Sequence, residues 1–500
     1  MDGSLLNYAV LASLALYLVF YFKMYLKTRA IPTVGGSSLP ILSYFGAIRN
    51  LLRAVHTTDE GYSKYKGGIF KYAELGAWRI IVTTQRQIEE ISKAPDDVLS
   101  FAEAANDSAQ IVYTFGPEVH HDAWHVNIIR TQLTRNLAHL FPEMHNELVA
   151  SFQDEIPAVG DGWTKVRMKD AVMNIVCRTS NRVFVGLPLC RNSDYLLLNK
   201  TFTLDVIKGA TIIKLFPEAL RPLVARFCTN VPARINRGVS HLEPIIRERF
   251  QKIEEYGKEW ADKPNDTLQW LIDAARGKER TVRALVLRIL AVNFAAIHTT
   301  SVTFTHVMFY LAAHPQYVNE LREEVAAIVQ EEGWTKAATE RMHKMDSYLK
   351  EVQRVTGLGA WSVNRKVLKD FTLSDGTTIP AGTNVAASAR PIHYDDDYYV
   401  DAHVFDPWRF SRMREEDTEG SGLKYQMISA NAHYLPFGTG RNACPGRFFA
   451  ANELKAMLAH VVMTYDVKME NEGVIPPSSW IFASLVPSST GEVLFRKRQT

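Results

Sequence analysis

Cysteine is scarce in this chain of 500 residues: Cys177, Cys190, Cys228 and Cys444 are the four, and no two form a C-x-x-C pair. That excludes a disulfide scaffold and fits a reducing compartment. Charge of one sign is equally lacking. The 57 basic and 54 acidic residues leave a net +3, so no nucleic-acid partner is expected. No flavin or nicotinamide fingerprint occurs, and no internal repeat. Long apolar runs are missing except at the start. With 47% hydrophobic and 22% charged residues, the chain can bury an extensive core and is not disordered.

The exception, Leu5–Phe22, reads LLNYAVLASLALYLVFYF. Its length just suffices for a membrane-spanning helix. Asp2 precedes it and Lys23, Lys27 and Arg29 follow. Basic flanks stay cytoplasmic, so the pattern predicts a single-pass anchor over 1–30 with the body in the cytosol. On that topology the sequons at Asn106, Asn199 and Asn265 are unused. Residues 31–46, IPTVGGSSLPILSYFG, suit a proline/glycine hinge. Residues 47–500 then form one large domain, with Arg414–Gly422 as an exposed polar loop.

Apolar residues recur at three- and four-residue spacing over His125–Leu140, Ser240–Tyr256, Arg283–Ala313, Gln316–Glu332, Asp346–Val355 and Phe448–Tyr465. Strand patterns are few: Gly68–Tyr72, Arg79–Thr83, Phe371–Ile379 across an Asp375-Gly376 turn, and Val493–Arg496. The expected class is mainly α with small antiparallel β-sheets.

Phe437–Ala450 reads FGTGRNACPGRFFA. Glycines at Gly438, Gly440 and Gly446 let a loop pass close beneath a flat group. Successive amides, and the helix starting after Pro445, can hold the Cys444 sulfur as a thiolate. Phe437 would shield it from water. A thiolate with no disulfide or zinc partner suits haem iron. The loop resembles the haem-binding signature of the cytochrome P450 family. That family usually has Arg or His two residues before the cysteine; here Asn442 stands there, beside Arg441.

The resemblance extends upstream. Glu351 and Arg354 share a helix face, and Arg409 lies in FDPWRF; in the family such residues form a buried ion network behind the cysteine loop. AAIHTT, Ala295–Thr300, resembles the oxygen-activation stretch of the long helix above the haem. It makes Thr299 and His298 the candidate catalytic residues. His298 stands where an acid is usual. It is either a proton relay, since imidazole titrates near neutrality, or a core histidine bonded to a carbonyl. Arg130, on HVNIIRTQLTRNL, and Arg365 are candidates for the haem propionates, with Phe437 and Asn442 completing the cofactor set and Cys444 as the metal ligand. The family's Trp four residues before that arginine is Val126 here, with Trp124 and His125 nearby. HDAWH, His121–His125, has the two-histidine spacing of a zinc helix, but Asp122 replaces the glutamate and no third ligand follows.

The resemblance implies a P450 fold holding haem b, and a haem-thiolate monooxygenase of the endoplasmic reticulum membrane. It would use O2, a small lipophilic substrate such as a terpenoid, and electrons from NADPH through a separate NADPH–cytochrome P450 reductase. The pocket would be lined from Phe101–His120, Phe202–Pro232, the neighbourhood of Ala295, Leu358–Val363 and Trp480–Leu485. The alternatives are a haem-thiolate isomerase or dehydratase working without a reductase, or a haem sensor. Cys444→Ala should abolish the thiolate-specific absorbance of the reduced carbon-monoxide complex; a variant that keeps the band has another ligand.

Overall fold

A computed structural model describes residues 22–418, 420 and 422–499. The anchor expected over Leu5–Phe22 lies outside these residues except for Phe22. Residues 22–28 are helical. Ile31 and Val34 are buried, and the Val34 N–H donates to the Lys71 carbonyl (2.9 Å). The expected 31–46 hinge is therefore tied to the body. Its last part, Pro40–Gly46, opens the helix Pro40–Tyr65, because proline at the first helical position has φ preset and no N–H to satisfy.

Helix dominates. Val282–Ala313 runs through the centre, capped by the Thr281 hydroxyl, which accepts from the Ala284 N–H (3.3 Å). It is apolar nearly all round and mostly buried, as a helix ringed by others must be. Among the described residues it alone is long and apolar enough to cross a membrane. Met168–Phe184, Ser193–Lys214, Val231–Tyr256, His343–Thr356 and Arg447–Thr464 pack against it. The helix expected to stop at Leu140 continues to Glu155, and a π-turn at Ile129–Leu133 interrupts it near its start.

The strands gather to one side. A five-stranded sheet runs in the order Ile69–Glu74, Ala77–Val82, Asn384–Ala387, Ser362–Val367, Leu99–Ser100. Its pairs are antiparallel except Ala77–Val82 with Asn384–Ala387, which is parallel. The register slips between Ser362 and Arg365. Val363 there adopts φ 55°, a left-handed conformation that a β-branched residue resists. Three smaller antiparallel sheets complete the set.

Glu351, Arg354 and Arg409 meet in the core, each nearly or wholly buried. Arg354 donates Nε and Nη2 to the Glu351 carboxylate (2.8 and 2.7 Å), and Arg409 Nε reaches it at 3.2 Å. Two cations face one anion. The remaining guanidinium N–H groups donate to main-chain carbonyls, among them Ala402 (2.7 Å) for Arg354 and Val404 (3.1 Å) for Arg409. Removing one partner from such a site leaves charge uncompensated. Glu351→Gln should lower stability by about 3–5 kcal/mol, read as an earlier urea midpoint; an unchanged midpoint would show that the carbonyls alone suffice.

Candidate active site around Cys444 and Thr299

The cysteine loop is held at both ends. The Cys444 N–H donates to the Phe437 carbonyl (2.8 Å), and the Gly438 N–H to the Leu435 carbonyl (2.9 Å). Gly438 and Gly440 have φ of 66° and 70°. A Cβ on Gly440 would lie 2.8 Å from the Ser92 carbonyl oxygen, so glycine is required there twice over. Burial pushes the Cys444 thiol pKa up; the amides of Gly446 and Arg447 and the Arg447 charge pull it back toward the thiolate. Those are the groups expected to point at the sulfur. Phe437 is half-buried against the main core.

The loop is also keyed to the buried ion network, through a residue the sequence left unnoticed. His393 Nε2 accepts the Leu435 N–H (3.0 Å), while Arg354 holds the His393 carbonyl. Burial, then the neighbouring Arg354, lowers the His393 pKa to about 3. The ring therefore stays neutral and keeps its acceptor. A lone histidine in PIHYDDD carries no signal of this role.

On Val282–Ala313 the expected oxygen-activation stretch stands out by exposure. From Leu285 to Ala313, Ala295 and Thr299 alone are exposed. Four apart, they share one face. The Thr299 hydroxyl donates to the Ala295 carbonyl (2.8 Å). Phe294, beside them, packs edge-on to Phe115, which meets Phe202 in the same way. His298 belongs to another face: its Nε2 lies 2.9 Å from the Lys200 carbonyl on Ser193–Lys214. Burial is the main cause of its lowered pKa. A ring nitrogen that donates to a carbonyl has no free lone pair, so Nε2 serves as a helix-to-helix tie while Nδ1 keeps its acceptor.

The expected cofactor-binding bases divide. Arg365 is 2% exposed. Its Nη1 donates only to the neighbouring Asn364 carbonyl (2.8 Å), and its Nη2 has no partner. Burial lowers its pKa to about 10. A buried guanidinium without a carboxylate calls for an anion from elsewhere. Arg130 is exposed on the π-turn. That turn adjoins the cysteine loop, since a Cβ on Gly446 would lie 3.8 Å from Ile129. Asn442 is engaged at the surface. Its amide donates to Asp96 (3.3 Å), and Arg441 lies 4.0 Å from the same carboxylate. This contact fastens the loop to the segment after Gln85–Lys93, and the second N–H of the Asn442 amide stays free to donate. The orphaned Arg365 cation, the glycine cradle and the thiol under its amides fit haem with its paired carboxylates.

Comparison with known proteins agrees. The family model "Cytochrome P450" matches residues 81–495. The chain is 46% identical to cytochrome P450 monooxygenase 151 of Postia placenta over 99% of both chains. It is 36% identical to cytochrome P450 monooxygenase CYP512U6 of Ganoderma lucidum, over 98% of this chain and 96% of that one. Among solved structures, the retinoic acid-bound cyanobacterial CYP120A1 has the same fold, with a TM-score of 0.67 at 18% identity, over 90% of this chain and 96% of that one. The thiol loop, the open Thr299 face and the matched length together place this chain in the cytochrome P450 family, as a haem-binding monooxygenase with a cysteine thiolate ligand.

Proposed function

We propose that the chain inserts one atom of O2 into a lipophilic substrate, a terpenoid or related secondary metabolite, with electrons from NADPH delivered by a separate reductase. One observation carries this reading: Thr299 and Ala295 are exposed together on a central helix whose other residues from Leu285 to Ala313 are buried or half-buried. When bound, the haem on Cys444 supplies the oxygen activation. Arg365 and Arg130 would hold its carboxylates. Ala295 leaves room for small reactants. The Thr299 hydroxyl donates to the Ala295 carbonyl at rest; rotated outward it can donate its one hydrogen bond and accept others, and so pass a proton at that face. Phe115, Phe202 and Phe294 offer an apolar wall suited to a lipophilic ligand.

The test is product formed per NADPH consumed. Thr299→Ala should cut product formation by about 100-fold or more, while NADPH use continues and hydrogen peroxide accumulates. His298→Ala should keep wild-type coupling and lose stability instead. Normal coupling in Thr299→Ala would remove its proton role; uncoupling in His298→Ala would restore the relay.

We also propose attachment to the endoplasmic reticulum membrane with the body cytosolic. Support comes from a second apolar surface. Ile41, Phe45, Ile48 and Leu52 form an exposed stripe along Pro40–Tyr65, Leu52 at 91%. Leu215 and Phe227 are exposed as well. Such faces lie in the lipid interface. Deleting Met1–Arg29 should release much of the protein from microsomes and leave a salt-resistant remainder. Adding Phe45→Ser and Leu52→Ser should release that remainder; if it stays bound, the stripe has no part in attachment.

A further inference from the structure

The HDAWH stretch receives an arginine. Arg288 lies on Val282–Ala313, two turns before Ala295, and is wholly buried. Its Nη1 donates to the Asp122 carbonyl (2.7 Å) and to His125 Nδ1 (3.1 Å). Its Nη2 donates to the Glu118 carbonyl (3.2 Å) and the Glu279 carboxylate (2.9 Å). The guanidinium carbon stands 5.2 Å from the centre of the Trp124 ring, and the Trp124 indole N–H donates to the same Glu279 carboxylate (3.3 Å). Every acceptor but Glu279 belongs to the segment 118–125. Burial and the Arg288 charge lower the His125 pKa to about 3, so its ring remains a neutral acceptor.

That segment joins two parts of the site. Upstream is Phe115, packed on Phe294 next to the open Ala295–Thr299 face. Downstream, His125–Ile128 leads into the π-turn that carries Arg130. A planar guanidinium can satisfy this fork of acceptors; an ammonium, as a point donor, cannot.

We infer that Arg288 is a positioning residue: by clasping residues 118–125 it holds Phe115 against Phe294 at the border of the Thr299 face, and release of the clasp widens that border to bulky ligands. This rests on the reading of that face as the reacting one. The clasp acts on passage, not on chemistry, so its mark is on rates of entry and exit.

The experiment uses ferric holoenzyme and two probes followed by the Soret shift, 4-phenylimidazole as a bulky haem ligand and cyanide as a small one. Arg288→Met removes the fork and keeps the bulk. Glu279→Gln removes the one carboxylate on Arg288 but keeps an amide oxygen that can accept from it, so it weakens the clasp and serves if Arg288→Met does not fold. Either should raise both association and dissociation rates of 4-phenylimidazole by about tenfold, the factor set by one lost charge-assisted hydrogen bond, with little change in Kd. Cyanide rates should stay as in the wild type, and amide exchange should speed up over 117–127 but not in His343–Thr356. Unchanged 4-phenylimidazole rates overturn the inference. So does equal acceleration of cyanide, which would mean general loosening. Neither probe needs NADPH or reductase, so failure here is distinct from failure of the monooxygenase reading; a chain that binds no haem would overturn both.

Discussion

At Glu351 one carboxylate answers two guanidinium groups where water does not reach. An uncompensated positive charge in such a place is costly, and it is spread here over main-chain carbonyls rather than over a second acid. Those carbonyls must come from chain that is correctly folded around Arg354 and Arg409. The charge therefore specifies backbone, and the backbone it specifies includes His393. Through the His393 ring the same requirement reaches Leu435, and through Leu435 it reaches the turn that presents Cys444. The nucleus of the ion network and the position of the sulfur are thus one problem in charge neutralisation.

The two sides of the site are rigid for different reasons. Beneath, glycine geometry and amides directed at the sulfur define the loop, and its approach to Ser92 leaves no space for a side chain at Gly440. Above, the central helix is held by burial on most of its surface, and His298 ties it to Ser193–Lys214. The face that remains open is narrow and carries only an alanine and a threonine.

Much of this was legible in the sequence, because the residues concerned announce themselves locally. A cysteine flanked by glycines, a Glu and an Arg three apart, and a small-residue stretch ending in two threonines each carry a backbone or spacing requirement. Six helices followed from apolar periodicity, the central one placed to within a residue, while Pro40–Tyr65, Met168–Phe184 and Ser193–Lys214 were not read. What escaped was set by partners distant along the chain. Nothing near Asn442 announces Asp96, and nothing near His298 announces the Lys200 carbonyl. The parallel pairing of Ala77–Val82 with Asn384–Ala387 joins segments some three hundred residues apart, beyond any local pattern. Val363 reads as an ordinary strand residue, although its left-handed backbone is what the register slip beside Arg365 demands.

The π-turn at Ile129–Leu133 has a consequence for how motifs are aligned between relatives. A π-turn accommodates one residue more than an α-turn while the helix continues on the same axis. Each residue of an α-helix is worth about 100° of rotation. Side chains before the turn are therefore dealt to a different azimuth from those after it. Trp124, ahead of the turn, looks to Arg288 and Glu279, while the turn that carries Arg130 adjoins the cysteine loop. Counting residues between landmarks across such a point compares positions that are equivalent in number and not in direction.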